Sequence, residues 1–229
     1  MKSIVFDTGP IISLALNNLL WTLEPMKEKF KGDFFITPAV KRELIDRPLE
    51  TRKFKFEAIQ VQKLIDEKVF RVYDNSRIRN QTDFLLGKAN RIFSAYGNYI
   101  RLVHYAEMSV VAASLSLGNT AIVLDEKVTR FLIENPRSSF EILKKTLHTS
   151  IKINENNLKE FNNSVKNIKT IRSIELMAIA YENGLLDRYL TSLPNARRNL
   201  LESILWGLKL NGCATSREEI EQIMSIELK

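Results

Sequence analysis

The 229-residue chain has few of the side chains that most often bind soft metals or act as nucleophiles. Its single cysteine, Cys213, cannot form an intrachain disulfide and excludes a cysteine-rich zinc module. His104 and His148 are its only histidines, which argues against a histidine zinc site. No apolar run reaches the ~18–20 residues that a membrane span requires. The N-terminus is a short strand-like run and not a basic region followed by a long apolar segment. No signal peptide is therefore expected, and the expected location is cytoplasmic. There is no G-x-S-x-G nucleophile motif, no internal repeat, and no low-complexity tract beyond an asparagine-rich stretch after residue 154. A hydrophobic fraction of 45% and a charged fraction of 27% argue against global disorder.

The net charge of +7 is unevenly distributed. Residues 27–91 alone contribute +6, including Lys41, Arg42, Arg47, Arg52, Lys53 and Lys55. Such a stretch is either a solvated helical face or a surface that contacts phosphates. The two are compatible, because a solvated basic face can also bind RNA.

Periodicity predicts alternating strands and helices. Ser3–Phe6 is a short apolar run followed by Thr8-Gly9-Pro10 and a helical pattern of Ile11, Ile12, Leu14 and Leu16. Phe34–Thr37 is a second such run, with Thr37-Pro38 suited to an N-cap and a proline in the first helical turn. A helix over residues 54–72 ends in a strand at Val69–Tyr73, residues 75–80 read as a turn, and residues 82–96 read as helix. A helix of small and apolar residues from Val103 stops at Gly118-Asn119, before the apolar run Ala121–Leu124. A helix ending at 143–147 and a last strand at 150–153 complete the pattern, which is that of a parallel α/β sheet. From 154 onward the expectation is a helical extension: a polar connector or solvated helix, then helices at about 170–183, 196–210 and 217–226. Gly184 and Gly212 are expected as C-caps, and Ser216 with Glu219 as a capping box. Leu200, Leu201, Ile204, Leu205 and Leu208 read as core, and Trp206 and Tyr189 as packing residues, with base stacking as the alternative. The expected division is 1–153 and 154–229.

Four carboxylates stand at informative places. Asp7 and Asp125 follow predicted strands, where ligands bind in open parallel sheets. Glu43 lies on the helix after the second strand. Glu107 interrupts a run of Ala, Val and Met. Taken singly, each could be a turn or helix cap. Taken together, they form an oxygen-only donor set suited to Mg²⁺ or Mn²⁺. Like charges held this close need a cation or a proton between them. A divalent ion so held can activate water and stabilise both oxygens of an in-line phosphodiester displacement.

The blocks IVFDTGPIISLAL (4–16), ITPAVKREL (36–44) and AEMSVVAASLSLGNTAIVLDEKVTRFL (106–132) resemble a PIN-domain ribonuclease of the VapC-like type. The resemblance covers roughly residues 1–150. It implies a central parallel sheet flanked by helices, an α/β/α sandwich, with the later helices as an extension. It also implies a metal-dependent endoribonuclease in which Asp7, Glu43, Glu107 and Asp125 hold Mg²⁺ or Mn²⁺. Asp7 and Asp125 would carry the principal ion, and cleavage would leave 5′-phosphate and 3′-hydroxyl ends. Thr8 would orient Asp7, and Glu126 would be an auxiliary ligand or a solvated first-turn residue. Lys41, Arg42, Arg47, Arg52 and Lys53 would meet RNA. The further expected partners are an antitoxin-like or other regulatory protein and a second copy of the chain; a membrane is not among them. The alternative is a non-catalytic PIN-like module that binds RNA or protein. Two other readings of Asp7 fail on sequence. An aspartic protease would be nearly all β and would need a second Asp-Thr-Gly, and a haloacid-dehalogenase-type phosphatase needs a second Asp two residues on.

Overall fold

The computed structural model describes residues 2–136, 140, 141, 143, 144 and 149–228. Five parallel strands form the central sheet: β1 (Ser3–Phe6), β2 (Asp33–Ile36), β3 (Phe70–Val72), β6 (Ala121–Val123) and β8 (Thr170–Ile171). Their order is β3-β2-β1-β6-β8, and helices flank the sheet. Sequence neighbours lie to one side of β1 and later strands to the other. The order therefore reverses between β1 and β6, which is where open α/β sheets bind ligands.

The inner strands β1, β2 and β6 are short, mostly apolar runs because helices cover both faces, while the edge strand β3 exposes Arg71 and Val72. Val5, Phe6, Phe34, Ile36, Phe70, Ile122 and Val123 are buried. Phe6 lies 5.0 Å from Phe34 and 5.1 Å from Phe70, centroid to centroid, a three-ring cluster that ties the first three strands together. Such contacts add ~0.5–1.5 kcal/mol each beyond their buried area. Chain entry into β2 depends on Gly32. A β-carbon there would stand 2.5 Å from the Lys2 carbonyl oxygen and 2.5 Å from the Phe30 ring. The carbonyl is backbone and itself accepts from the Asp33 N–H, so it cannot swing away. Gly32→Ala is expected to cost about 2 kcal/mol and to lower the melting temperature by roughly 6 °C in a thermal melt.

A second, small antiparallel sheet was not foreseen. It joins β4 (Phe93–Ala95), β5 (Asn98–Tyr99) and β7 (Lys152–Ile153) in the order β5-β4-β7. The expected helix over 82–96 is instead Ser76–Ala89, capped by the Asn75 side chain, followed by this hairpin. Residues 75–80, expected as a turn, are thus the start of a helix. Their polar side chains simply lie on its outer side. The strand expected at 150–153 exists, but it pairs with β4 and not with the central sheet. Part of the helix expected to end at 143–147 lies outside the described residues.

The region after 154 differs from expectation in two respects. It is mostly helical, with Glu155–Val165, Ser173–Glu182, Ala196–Leu210 and Arg217–Glu227. Residues 170–171, expected as helix, form β8 beside β6 and so complete the central sheet. Leu158, Phe161, Leu176, Leu201, Leu205 and Leu208 belong to the same hydrophobic core as β1 and β6. The division at 153/154 does not separate two cores. Phe161 and Val165 give the asparagine-rich helix a buried side that its composition hides. The capping box is present, with the Ser216 N–H donating to Glu219 at 2.7 Å and the Glu219 N–H to the Ser216 hydroxyl at 3.1 Å. Tyr189 accepts from the Trp21 indole N–H at 3.0 Å, and Trp206 is half-buried against the core. Among the described residues no helix is long and apolar enough to cross a membrane.

Candidate functional site

Asp7 follows β1 and caps the helix Thr8–Leu16, its carboxylate accepting weakly from the Gly9 N–H at 3.5 Å. It is only 5% exposed, and its Oδ1 is buried with no hydrogen-bond partner among the described residues. Burial, then the charge of Glu107, and less strongly that of Glu43, push its pKa up to about 7. The Thr8 and Gly9 N–H groups oppose that rise. A native interior seldom leaves a carboxylate oxygen orphaned.

Local structure positions Glu43 and Glu107. Glu43 lies in a π-helical turn, Arg42–Asp46, that continues the helix Pro38–Lys41; such turns often mark functional sites. The Thr8 hydroxyl donates to Glu43 at 2.9 Å. Thr8 was expected to orient Asp7, but its side chain holds Glu43 instead. Glu107 sits in the first turn of Tyr105–Ser116 and accepts from the His104 N–H at 3.1 Å and the Thr129 hydroxyl at 2.9 Å. Burial raises its pKa, these two donors lower it, and the neighbouring Glu126 charge raises it. Glu126 itself caps the helix Lys127–Glu134 through the Thr129 N–H. The start of the Glu107 helix is pinned to β2 by Ser109, whose hydroxyl lies 2.7 Å from that of Thr37. Thr37 caps its own helix as its sequence suggests.

Asp125 is arranged differently from expectation. It is 2% exposed just after β6, and each carboxylate oxygen accepts a hydrogen bond: the Ser173 N–H donates to Oδ1 and the Ser173 hydroxyl to Oδ2, each at 2.7 Å. Its main-chain carbonyl accepts from the Ala214 N–H at 3.2 Å. Cys213 lies alongside, its thiol pushed up to about 12 by burial and by the Asp125 charge, which keeps it unreactive. The Asp125 carboxylate thus faces the Ser173–Glu182 helix, and among the described residues no group of three ligating side chains joins it to Asp7. Gly9 lies close to both. A β-carbon there would lie 3.8 Å from both the Asp125 Cβ and the Asp7 Oδ2.

Oxygen-only donors and an orphaned interior oxygen are the chemistry a hard divalent cation takes. Asp7 and Glu107 are the pair that fits it best, with Glu43 nearby. Among the described residues no three metal-ligating side chains come close enough to enclose an ion.

Beside these carboxylates a cleft of about 600 Å³ is lined by Arg42, Glu43, Arg47, Arg79 and Tyr105, among others. Arg42 and Arg47 were expected at a phosphate surface. Lys41 instead pairs with Asp46 at 3.1 Å, and Arg52 and Lys53 are exposed outside the cleft lining. Arg79 lies in the stretch 71–91, which was also expected to draw RNA phosphates, but it was not named individually. Ser173 was also missed. Its signal is slight: a serine following a strand, at the first turn of an apolar helix. Comparison with protein-family models, with curated proteins and with solved structures finds no match for this chain.

Proposed function

We propose that this chain is a PIN-type, VapC-like endoribonuclease that hydrolyses RNA phosphodiester bonds with Mg²⁺ or Mn²⁺. The observation that carries this reading is the buried, orphaned oxygen of Asp7 at the carboxyl end of β1, electrostatically coupled to Glu107 and Glu43. Asp7 and Glu107 would hold the cation, with Glu43 kept in reach by Thr8. Bound there, the ion would neutralise the carboxylates and lower the pKa of water for in-line attack. The arginines of the cleft neutralise backbone phosphates and bring the scissile bond beside the acidic residues. Asp125 would act from behind the site, holding the end of β6 against the helix Ser173–Glu182.

The test is cleavage of mixed RNA in Mn²⁺ by the wild type and by Asp7→Asn. The expected result is loss of more than ~10²-fold in the variant, since even outer-layer changes at metal sites cost 10–100-fold. Equal cleavage by both proteins sinks the assignment.

A second reading, a non-catalytic RNA- or protein-binding module, is favoured by the engagement of both Asp125 oxygens by Ser173 and by the lack of a three-ligand group among the described residues. Metal-independent RNA binding without turnover, weakening steeply as salt rises, is its expected signature.

A further inference from the structure

We propose that the β4–β5 hairpin is a stacking platform for single-stranded RNA, with Tyr96 and Tyr99 receiving bases and Arg101 and Lys152 meeting phosphates. The proposal rests on the reading of the chain as an RNA-handling protein and names a second contact surface for the same strand.

The turn is the first observation. Ala95 pairs with Asn98, so Tyr96 and Gly97 are the two turn residues, at φ 51° and 81°. Both are left-handed, as a two-residue I′ hairpin turn requires, and asparagine, aspartate or glycine is the usual choice at the first of them. A bulky side chain there is an outlier. Tyr96 gains no burial in return, because it is 86% exposed. Strain held at an exposed aromatic points to a use outside the fold.

The face of the sheet is the second. Ser94 pairs with Tyr99 on one side and with Lys152 on the other, so these three side chains share one face. Tyr99 is 58% exposed and Lys152 is exposed, while Phe93, next along β4, is buried. Lys152 stands two strands from Tyr99, about 10 Å away. An aromatic flanked by a cation at this spacing suits a base and a nearby phosphate.

The local charge is the third. No acidic residue occurs between Asp83 and Glu107, whereas Arg91 and Arg101 do; Lys88, in the same stretch, is paired with Glu160 at 2.7 Å. Three of the six tyrosines, Tyr96, Tyr99 and Tyr105, lie within these residues. Tyr105 lines the arginine cleft beside Glu43 and stands two residues before Glu107. The hairpin is also held firmly. The Asn90 side chain accepts from the Leu102 and Val103 N–H groups at 2.7 and 3.0 Å and donates to the Val103 carbonyl at 3.0 Å. The chain leaving the platform, just before the helix that carries Glu107, is thereby fixed to the end of the helix Ser76–Ala89. A protein strand added to the edge of β5 fits less well, because β5 offers only two residues, Asn98 and Tyr99.

The experiment is fluorescence anisotropy of a labelled 12-nucleotide oligouridylate and of an RNA duplex, in EDTA so that no cleavage intervenes. It compares the full-length wild type, Tyr96→Ala/Tyr99→Ala, Tyr96→Phe/Tyr99→Phe and Arg101→Gln. Stacking is worth ~1–3 kcal/mol per base, so the double alanine variant is expected to bind single strands at least ~10-fold more weakly. The double phenylalanine variant should stay within a few-fold of wild type, Arg101→Gln should flatten the salt dependence, and the duplex should bind more weakly than the single strand. All variants should melt with the wild type, since the altered side chains are exposed. Unchanged affinity in the double alanine variant, or equal binding of duplex and single strand, overturns the platform even if Mn²⁺-dependent cleavage is found. Absence of any RNA binding by the wild type overturns it as well. Self-association that the tyrosine substitutions dissolve, seen by size exclusion without RNA binding, would assign the hairpin to a protein interface instead. Binding as expected without cleavage leaves the platform standing and removes the nuclease reading.

Discussion

At pH 8 in the absence of divalent cations, Asp7→Asn is expected to unfold about 10 °C above the wild type. The Asp7 carboxyl ionises near 3.8 when exposed and near 7 in the folded protein. Folding therefore favours the protonated form. Its stabilising effect is complete below about pH 4 and is lost as the pH rises through about 7. Above that value the wild type carries a buried charge whose cost is on the order of 4 kcal/mol, which for a chain of this length corresponds to roughly 10 °C. Asparagine keeps the shape and the capping oxygen but has no charge to bury. Thermal melts from pH 4 to 8 in EDTA should show the wild type losing stability across that window and the variant following a flatter line. Added Mn²⁺ should raise the wild type most at high pH and leave the variant nearly unmoved. A variant that melts at or below the wild type at pH 8 contradicts the buried, unpartnered carboxylate. A substitution that inactivates and stabilises together is what a site strained for function produces.

The second large effect is expected at Asp125. Asp125→Ala leaves the Ser173 N–H and hydroxyl unpaired in a buried place. Hydrogen bonds to a charged group contribute ~1.5–3 kcal/mol, so the combined loss is about 3 kcal/mol, roughly 9 °C. Ser173→Ala should lose less, because its main-chain N–H still donates to Asp125. Urea unfolding of both variants and the double mutant measures the coupling. Asp125→Ala within ~0.5 kcal/mol of the wild type would show that the pair contributes nothing to the fold. Cys213→Ser is informative alongside it, since the thiol shares this pocket and a hydroxyl there could compete for the same carboxylate.

The legible parts of the fold were those set by local chemistry. Thr37-Pro38 starts a helix because a hydroxyl and a proline satisfy or remove the first orphan N–H groups. Ser216 and Glu219 satisfy each other's backbone in the same way. The runs 3–6, 34–37 and 121–124 read as strands because a parallel strand covered on both faces is mostly apolar, and the structure places strands at 3–6, 33–36 and 121–123. The small antiparallel sheet was not legible. Its strands are two or three residues long, too short for a period-2 pattern to emerge, and the sequence of β4 is equally compatible with helix. Residues 170–171 were drawn into the following helix for the same reason, since two residues carry no period of their own.

Which carboxylates exist, and that Asp7 and Asp125 follow strand ends, could be read from the order of residues alone. So could the oxygen-only character of the donor set and the concentration of basic residues between 27 and 91. Only the tertiary structure decided how those carboxylates divide. Asp7 is left with an empty-handed oxygen beside Glu107 and Glu43, while Asp125 is turned toward a serine 48 residues away. The physical reason is that β8 joins the sheet beside β6 and brings the N-terminus of the Ser173–Glu182 helix to the end of β6. Nothing local to Asp125 encodes that neighbour. It follows from how the core is closed, and it makes the C-terminal region part of the structure that holds the site.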